Sequence, residues 1–92
     1  MVECRVKIVN RLGLHARAAA KLVRAATAFR ATVKLVRLDR PTTADAKSIL
    51  SVLMLAAARG TELLVTAEGP DEATALDALC GLIGGGFGEG EE

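Results

Sequence analysis

Within the first two dozen residues the spacing of apolar side chains changes from two to between three and four, and that change restricts the folds open to the chain. Val2, Cys4, Val6 and Ile8 alternate with Glu3, Arg5 and Lys7, the period of a strand with one buried face. This predicts a strand from Val2 to Val9. Asn10 to Leu14, containing Gly13, forms a turn, and from Ala16 the stretch ARAAAKLVRAATAF puts Ala19, Leu22, Val23, Ala26 and Phe29 on one helical stripe. Arg17, Lys21 and Arg24 lie off that stripe. Further on, Ala31, Val33 and Leu35 alternate again, LDRP supplies a turn, and a short, weaker strand is expected around Thr42 and Thr43. Ser48 to Ala58 is apolar on nearly every side and is read as a helix closed by Arg59 and Gly60. A fourth strand holds Leu63, Val65 and Ala67. GPDE then opens a last helix, with Pro70 suited to its first position and Asp71 and Glu72 to its positive end. The apolar face of that helix comprises Ala73, Leu76, Leu79, Cys80 and Ile83.

The order strand, helix, strand, strand, helix, strand, helix in 92 residues predicts a single α+β domain. Its expected form is a four-stranded sheet with helices over one face and water on the other. The domain is taken to end at residue 84. Residues 85–92, rich in Gly and Glu, are expected to be a flexible acidic tail. No run approaches the roughly 20 apolar residues of a membrane span, so direct membrane insertion is not expected. Met1 leads straight into an alternating, charged stretch without the features of a secretory signal, which points to the cytoplasm. Cys4 and Cys80 have neither CxxC nor metal-type spacing and are expected to be reduced, buried thiols.

The formal charge is +1, but all twelve Lys and Arg fall in residues 1–60 against three acids, while residues 61–92 hold eight acids and no base. Such segregation suggests a basic face for an acidic or phosphorylated partner. A nucleic acid is the rival partner, and it is disfavoured because two Phe with no Tyr or Trp leave almost no stacking platform.

His15, the only histidine, stands in GLHAR between a strand end and a helix start. Unpaired amides and the helix dipole make that place an anion site and favour a neutral, nucleophilic imidazole. A phosphoryl group on the ring could accept charge-assisted hydrogen bonds from those amides and from Arg17. The alternative is a capping or partly buried histidine without chemistry. A hydrolytic triad is disfavoured, since no carboxylate in the first 38 residues other than Glu3 could orient the ring. No second histidine or nearby cysteine completes a metal site, and no phosphate- or dinucleotide-binding glycine pattern is present, so no cofactor is expected.

GLHAR followed by AAAKLV, with the later blocks AKSILSVLMLAAARG and EGPDEATALDAL, resembles the HPr family of the bacterial phosphotransferase system, proteobacterial type, with its nitrogen-branch relative NPr also similar. The resemblance runs from Asn10 almost to the end. It implies an open-faced β-sandwich, a four-stranded antiparallel sheet with three helices on one face in the order βαββαβα. It also implies a phosphocarrier that turns over no substrate alone, phosphorylated on His15 at Nδ1 by Enzyme I with Arg17 holding the phosphoryl group, and unloading to EIIA-type domains, in either sugar uptake or regulation. A binding module of the nitrogen branch that does not transfer onward is the alternative. Ser48 matches the serine modified by HPr kinase/phosphorylase; it also suits a plain helix N-cap. Ala16, Lys21, Arg24, Ile49, Leu50 and Leu53 match the docking surface, whereas Met54 and Leu55 are also open to a core role. The chain has Ala18 where most members have Pro, which predicts a looser helix start. A monomer is expected.

Overall fold

A computed structural model of the chain describes residues 1–89. Its elements are β1 (Val2–Lys7), α1 (Ala16–Thr27), β2 (Thr32–Arg37), β3 (Thr43–Asp45), α2 (Ile49–Met54), β4 (Glu62–Glu68), α3 (Glu72–Gly84) and a single 3₁₀ turn, Gly86–Gly88. The sheet order is β1-β4-β2-β3 and every pairing is antiparallel. Val65 sits between Cys4 on β1 and Leu35 on β2. Because side chains alternate along a strand, this register turns Val33, Leu35, Leu63, Val65 and Ala67 to one face, where all are fully buried. Ala19, Leu22 and Ala26 of α1 and Ala75, Leu79 and Ile83 of α3 close over them. Three helices thus cover one face of an open-faced four-stranded sheet, the βαββαβα arrangement expected.

Three local expectations are corrected. The second helix stops at Met54, not near Ala58, because Ala56 takes a left-handed backbone (φ 54°). The buried Arg37 guanidinium donates from Nη1 to the Leu55 and Ala56 carbonyls, both at 3.1 Å, so carbonyls freed at the end of α2 are satisfied by a side chain from β2. Nε and Nη2 of the same group donate to Asp39, at 2.9 and 2.7 Å. Arg59 and Gly60 belong to the turn into β4 instead.

The cysteines are not free thiols. Cys4 and Cys80 are joined in a disulfide that ties β1 to α3, and both are partly rather than fully buried. Their inward faces were legible from periodicity, and the two faces meet.

Gly86 and Phe87 are buried and Glu89 is partly buried, against the expectation of a flexible tail; residues 90–92, on which the rest of that expectation falls, lie outside the described residues. Phe87 is 1% exposed and belongs to the core. Its φ of 60°, between two glycines also at positive φ, folds the chain back toward α1. Burial of one aromatic ring, worth about 1.5–3 kcal/mol, offsets ordering that composition alone would not support.

Asp71 is the N-cap residue of α3, but its side chain makes no capping hydrogen bond. Its carboxylate accepts from the backbone N–H of Arg30 (2.9 Å) and Ala31 (2.8 Å), pinning α3 to the α1–β2 connection.

Candidate functional site

The site is built on the turn between β1 and α1. Asn10, 3% exposed, donates through Nδ2 to the Gly13 carbonyl at 2.8 Å. Gly13 has φ +66°, and a Cβ there would stand 2.7 Å from the Ala57 carbonyl oxygen and 2.9 Å from Cα of Ala58. Only glycine lets the turn lie so close to the segment leaving α2. The Leu14 N–H donates to that Ala57 carbonyl at 2.9 Å, so the loop carrying His15 and the loop closing α2 are fixed to each other.

His15 is the N-cap of α1, in extended conformation (φ −78°, ψ 179°). Its Nδ1 accepts a long hydrogen bond, 3.3 Å, from the backbone N–H of Arg17. Nε2 lies 2.7 Å from Oε2 of Glu89. A donor faces one ring nitrogen and a carboxylate faces the other, which selects the neutral tautomer protonated at Nε2 with its lone pair on Nδ1. The imidazole is about a quarter exposed (24%), neither sealed in the core nor aimed away from the first turn.

Glu89 was not anticipated, because the carboxylates weighed against His15 were those of the first 38 residues and this one lies 74 residues away. Its side chain is 6% exposed, and its other oxygen accepts from Asn10 Nδ2 at 3.1 Å. Burial pushes this carboxyl up, but hydrogen bonds from His15 and Asn10, with Lys21 nearby, outweigh it and leave the group below its ordinary value. The only signal in the sequence was a local excess of Glu in a glycine-rich stretch, without periodicity to point it anywhere.

The other expected residues divide between the helices. Ala16 and Arg17 are exposed in the first turn of α1, and Arg24 is exposed two turns on; neither guanidinium has a hydrogen bond or ion pair among the described residues. Lys21 is tied down, donating from Nζ to the Phe87 carbonyl at 2.8 Å. On α2, Ser48 is the N-cap and its Oγ accepts from Ser51 N–H at 3.3 Å. Ile49, Leu50 and Leu53 are 45, 66 and 37% exposed. Met54 joins them at 73%, while Leu55 is core at 2%. Leu12, 57% exposed, is a further apolar residue on the His15 loop that the sequence did not single out. Two surface clefts lie elsewhere, one beside Lys7, Leu38 and Thr61 and one beside Thr32 and Thr66.

Residues 2–84 match the family model described as the HPr component phosphorylation site of the phosphotransferase system. The chain belongs to the HPr family. Phosphocarrier protein HPr of Cupriavidus necator is 50% identical over 91 residues, covering 99% of this chain and all of that one. Phosphocarrier protein NPr of Escherichia coli is 44% identical over 88 residues, 96% of this chain and 97% of that one. Among solved structures, HPr of Thermoanaerobacter tengcongensis superposes with a TM-score of 0.89 at 37% identity, over 97% of this chain and 98% of its own.

Proposed function

We propose that Nδ1 of His15 is the atom that carries phosphate in this HPr-family phosphocarrier. Family membership makes the chain a stoichiometric phosphohistidine carrier between Enzyme I and EIIA domains, not a catalyst that turns over alone. The observation that supports the assignment is the division of labour on the ring. Nε2 is held by a carboxylate, whereas the Nδ1 lone pair is engaged only by one long bond from a helix-terminal N–H.

In the loading step the Nδ1 lone pair attacks phosphorus, an N–P bond forms, and the bond from phosphorus to the donor's histidine breaks with its electron pair returning to the donor. The Arg17 N–H, relieved of the lone pair, then donates to a phosphoryl oxygen, and the unengaged Arg17 guanidinium adds a charge-assisted bond. Unloading reverses these steps toward an EIIA histidine.

One surface serves both encounters. Arg17, Lys21 and Arg24 supply positive charge, and Ile49, Leu50 and Leu53 supply the apolar area beside it, a combination suited to brief, electrostatically steered contacts. Ser48 borders that area. Its phosphorylation by HPr kinase/phosphorylase would add up to about −2 charge there and weaken docking of an acidic Enzyme I. No helix among the described residues is long and apolar enough to cross a membrane. The proposal takes the chain to act as a monomer in the cytoplasm, where Enzyme I would meet it.

Incubation with Enzyme I and phosphoenolpyruvate, with the mass measured before and after acid, tests the assignment. An acid-labile phosphate absent from His15→Ala is expected, as is transfer onward to an EIIA domain. Loading of His15→Ala would refute the site, and loading without onward transfer would establish the binding-module alternative. Phosphate on Ser48 with HPr kinase and ATP tests the regulatory role, and an unmodified serine would remove it.

A further inference from the structure

We infer that Glu89 is a positioning residue for phosphoryl transfer, its carboxylate holding the Nε2 proton of His15 through loading and unloading. The inference rests on His15 being the carrier residue. Transfer to Nδ1 without loss of the Nε2 proton leaves a positively charged ring bearing the phosphoryl group. No proton need move in either direction, provided a negative group stands at Nε2 when the ring charge appears.

The geometry supplies that group. Oε2 of Glu89 is 2.7 Å from Nε2, and the side chain is 6% exposed, so water screens the contact little. Oε1 is fixed by Asn10 Nδ2, the same nitrogen that holds the Gly13 carbonyl and shapes the turn. The backbone is held independently, by burial of Phe87 and by Lys21 Nζ on the Phe87 carbonyl. The groups facing the carboxylate are therefore His15, Asn10 and Lys21. Three separate anchors converge on one carboxylate that does not touch the nitrogen receiving phosphate. This arrangement orients and charge-balances the ring without obstructing Nδ1.

The test uses the full chain, ¹⁵N-labelled, as wild type, Glu89→Gln and Glu89→Ala, with thermal unfolding to verify that each is folded. Gln preserves shape and an acceptor but removes the charge. In wild type the Nε2–H should appear as a slowly exchanging, downfield resonance. It should move upfield in Glu89→Gln and be lost to exchange in Glu89→Ala. Loading by phosphorylated Enzyme I should slow about tenfold in Glu89→Gln, the low end expected when a facing opposite charge is removed, and the pH profile of unloading should shift to lower pH by about one unit. A structural role alone would leave that profile in place. Unchanged ring resonances and an unchanged profile in both variants, with wild type loading normally, would overturn the inference. Wild type that fails to load would instead overturn the carrier assignment, and the ring resonances would then decide whether Glu89 holds Nε2.

Discussion

Truncating Phe87 to Ala removes the anchor of the C-terminal strap and so tests whether residues 85–89 belong to the folded domain. The ring is 1% exposed and joins the core that includes Leu22 and Ile83. Buried Phe→Ala changes cost about 3–5 kcal/mol when a cavity remains. A chain end that loses its anchor regains backbone freedom instead of spanning a void, which places this change near the low end, about 3 kcal/mol. For a domain of this size that corresponds to a fall in Tm of about 12–24 °C. Urea denaturation measures the free energy, and hydrogen exchange reports the strap through Gly88 and Glu89, whose N–H groups donate to the Gly85 and Gly86 carbonyls at 3.4 and 3.1 Å. Both amides should lose protection in the variant. A midpoint equal to wild type, with exchange at these amides equally fast in both proteins, would show that Phe87 does not dock and would refute the reasoning.

Gly13→Ala should cost about 3 kcal/mol by urea denaturation, combining left-handed backbone strain with overpacking against Ala57 and Ala58, and loading of His15 should fall with it. Ala56→Gly, at φ 54° on an exposed residue, relieves strain in a place where glycine is at ease and should raise stability by about 0.5–1 kcal/mol. A lower Tm would contradict this. Hydrogen bonds from the Arg30 N–H, and then from Ala31, outweigh burial and hold the Asp71 carboxyl below its ordinary 3.8. Its folded pKa therefore lies below its unfolded one, so its contribution is full above the unfolded value and is lost as pH falls through the folded one. Asp71→Asn should be less stable than wild type at neutral pH, with the gap closing toward acid pH; parallel stability curves would show that the carboxylate charge contributes nothing.

Periodicity disclosed β1, α1, β2 and β4 because their side chains answer to a single sheet face. It also marked His15, the proposed phosphate carrier, because that residue and the helix start it caps are adjacent in the chain. What stayed hidden depends on partners distant in sequence. The end of α2 is set by Arg37, eighteen residues before Leu55, and no local rule would stop an alanine run at Ala56. The Cys4–Cys80 bond spans 76 residues; spacing showed two inward-facing sulfurs without showing that they meet. Glu89 reaches His15 across 74 residues, from a stretch whose glycines, needed there for positive φ, look in composition like disorder.

The imidazole of His15 stands at the rim of the molecule, and neither surface cleft includes it. If Nδ1 of His15 carries the phosphate as proposed, a ring that lines neither of these clefts has no walls there with which to enclose a small phosphate donor. Whatever shields the moving phosphoryl group from water must be brought by the protein that docks. On that proposal partner choice rests on exposed residues such as Arg24 and Leu50, which take no part in the hydrogen bonds that prepare the ring.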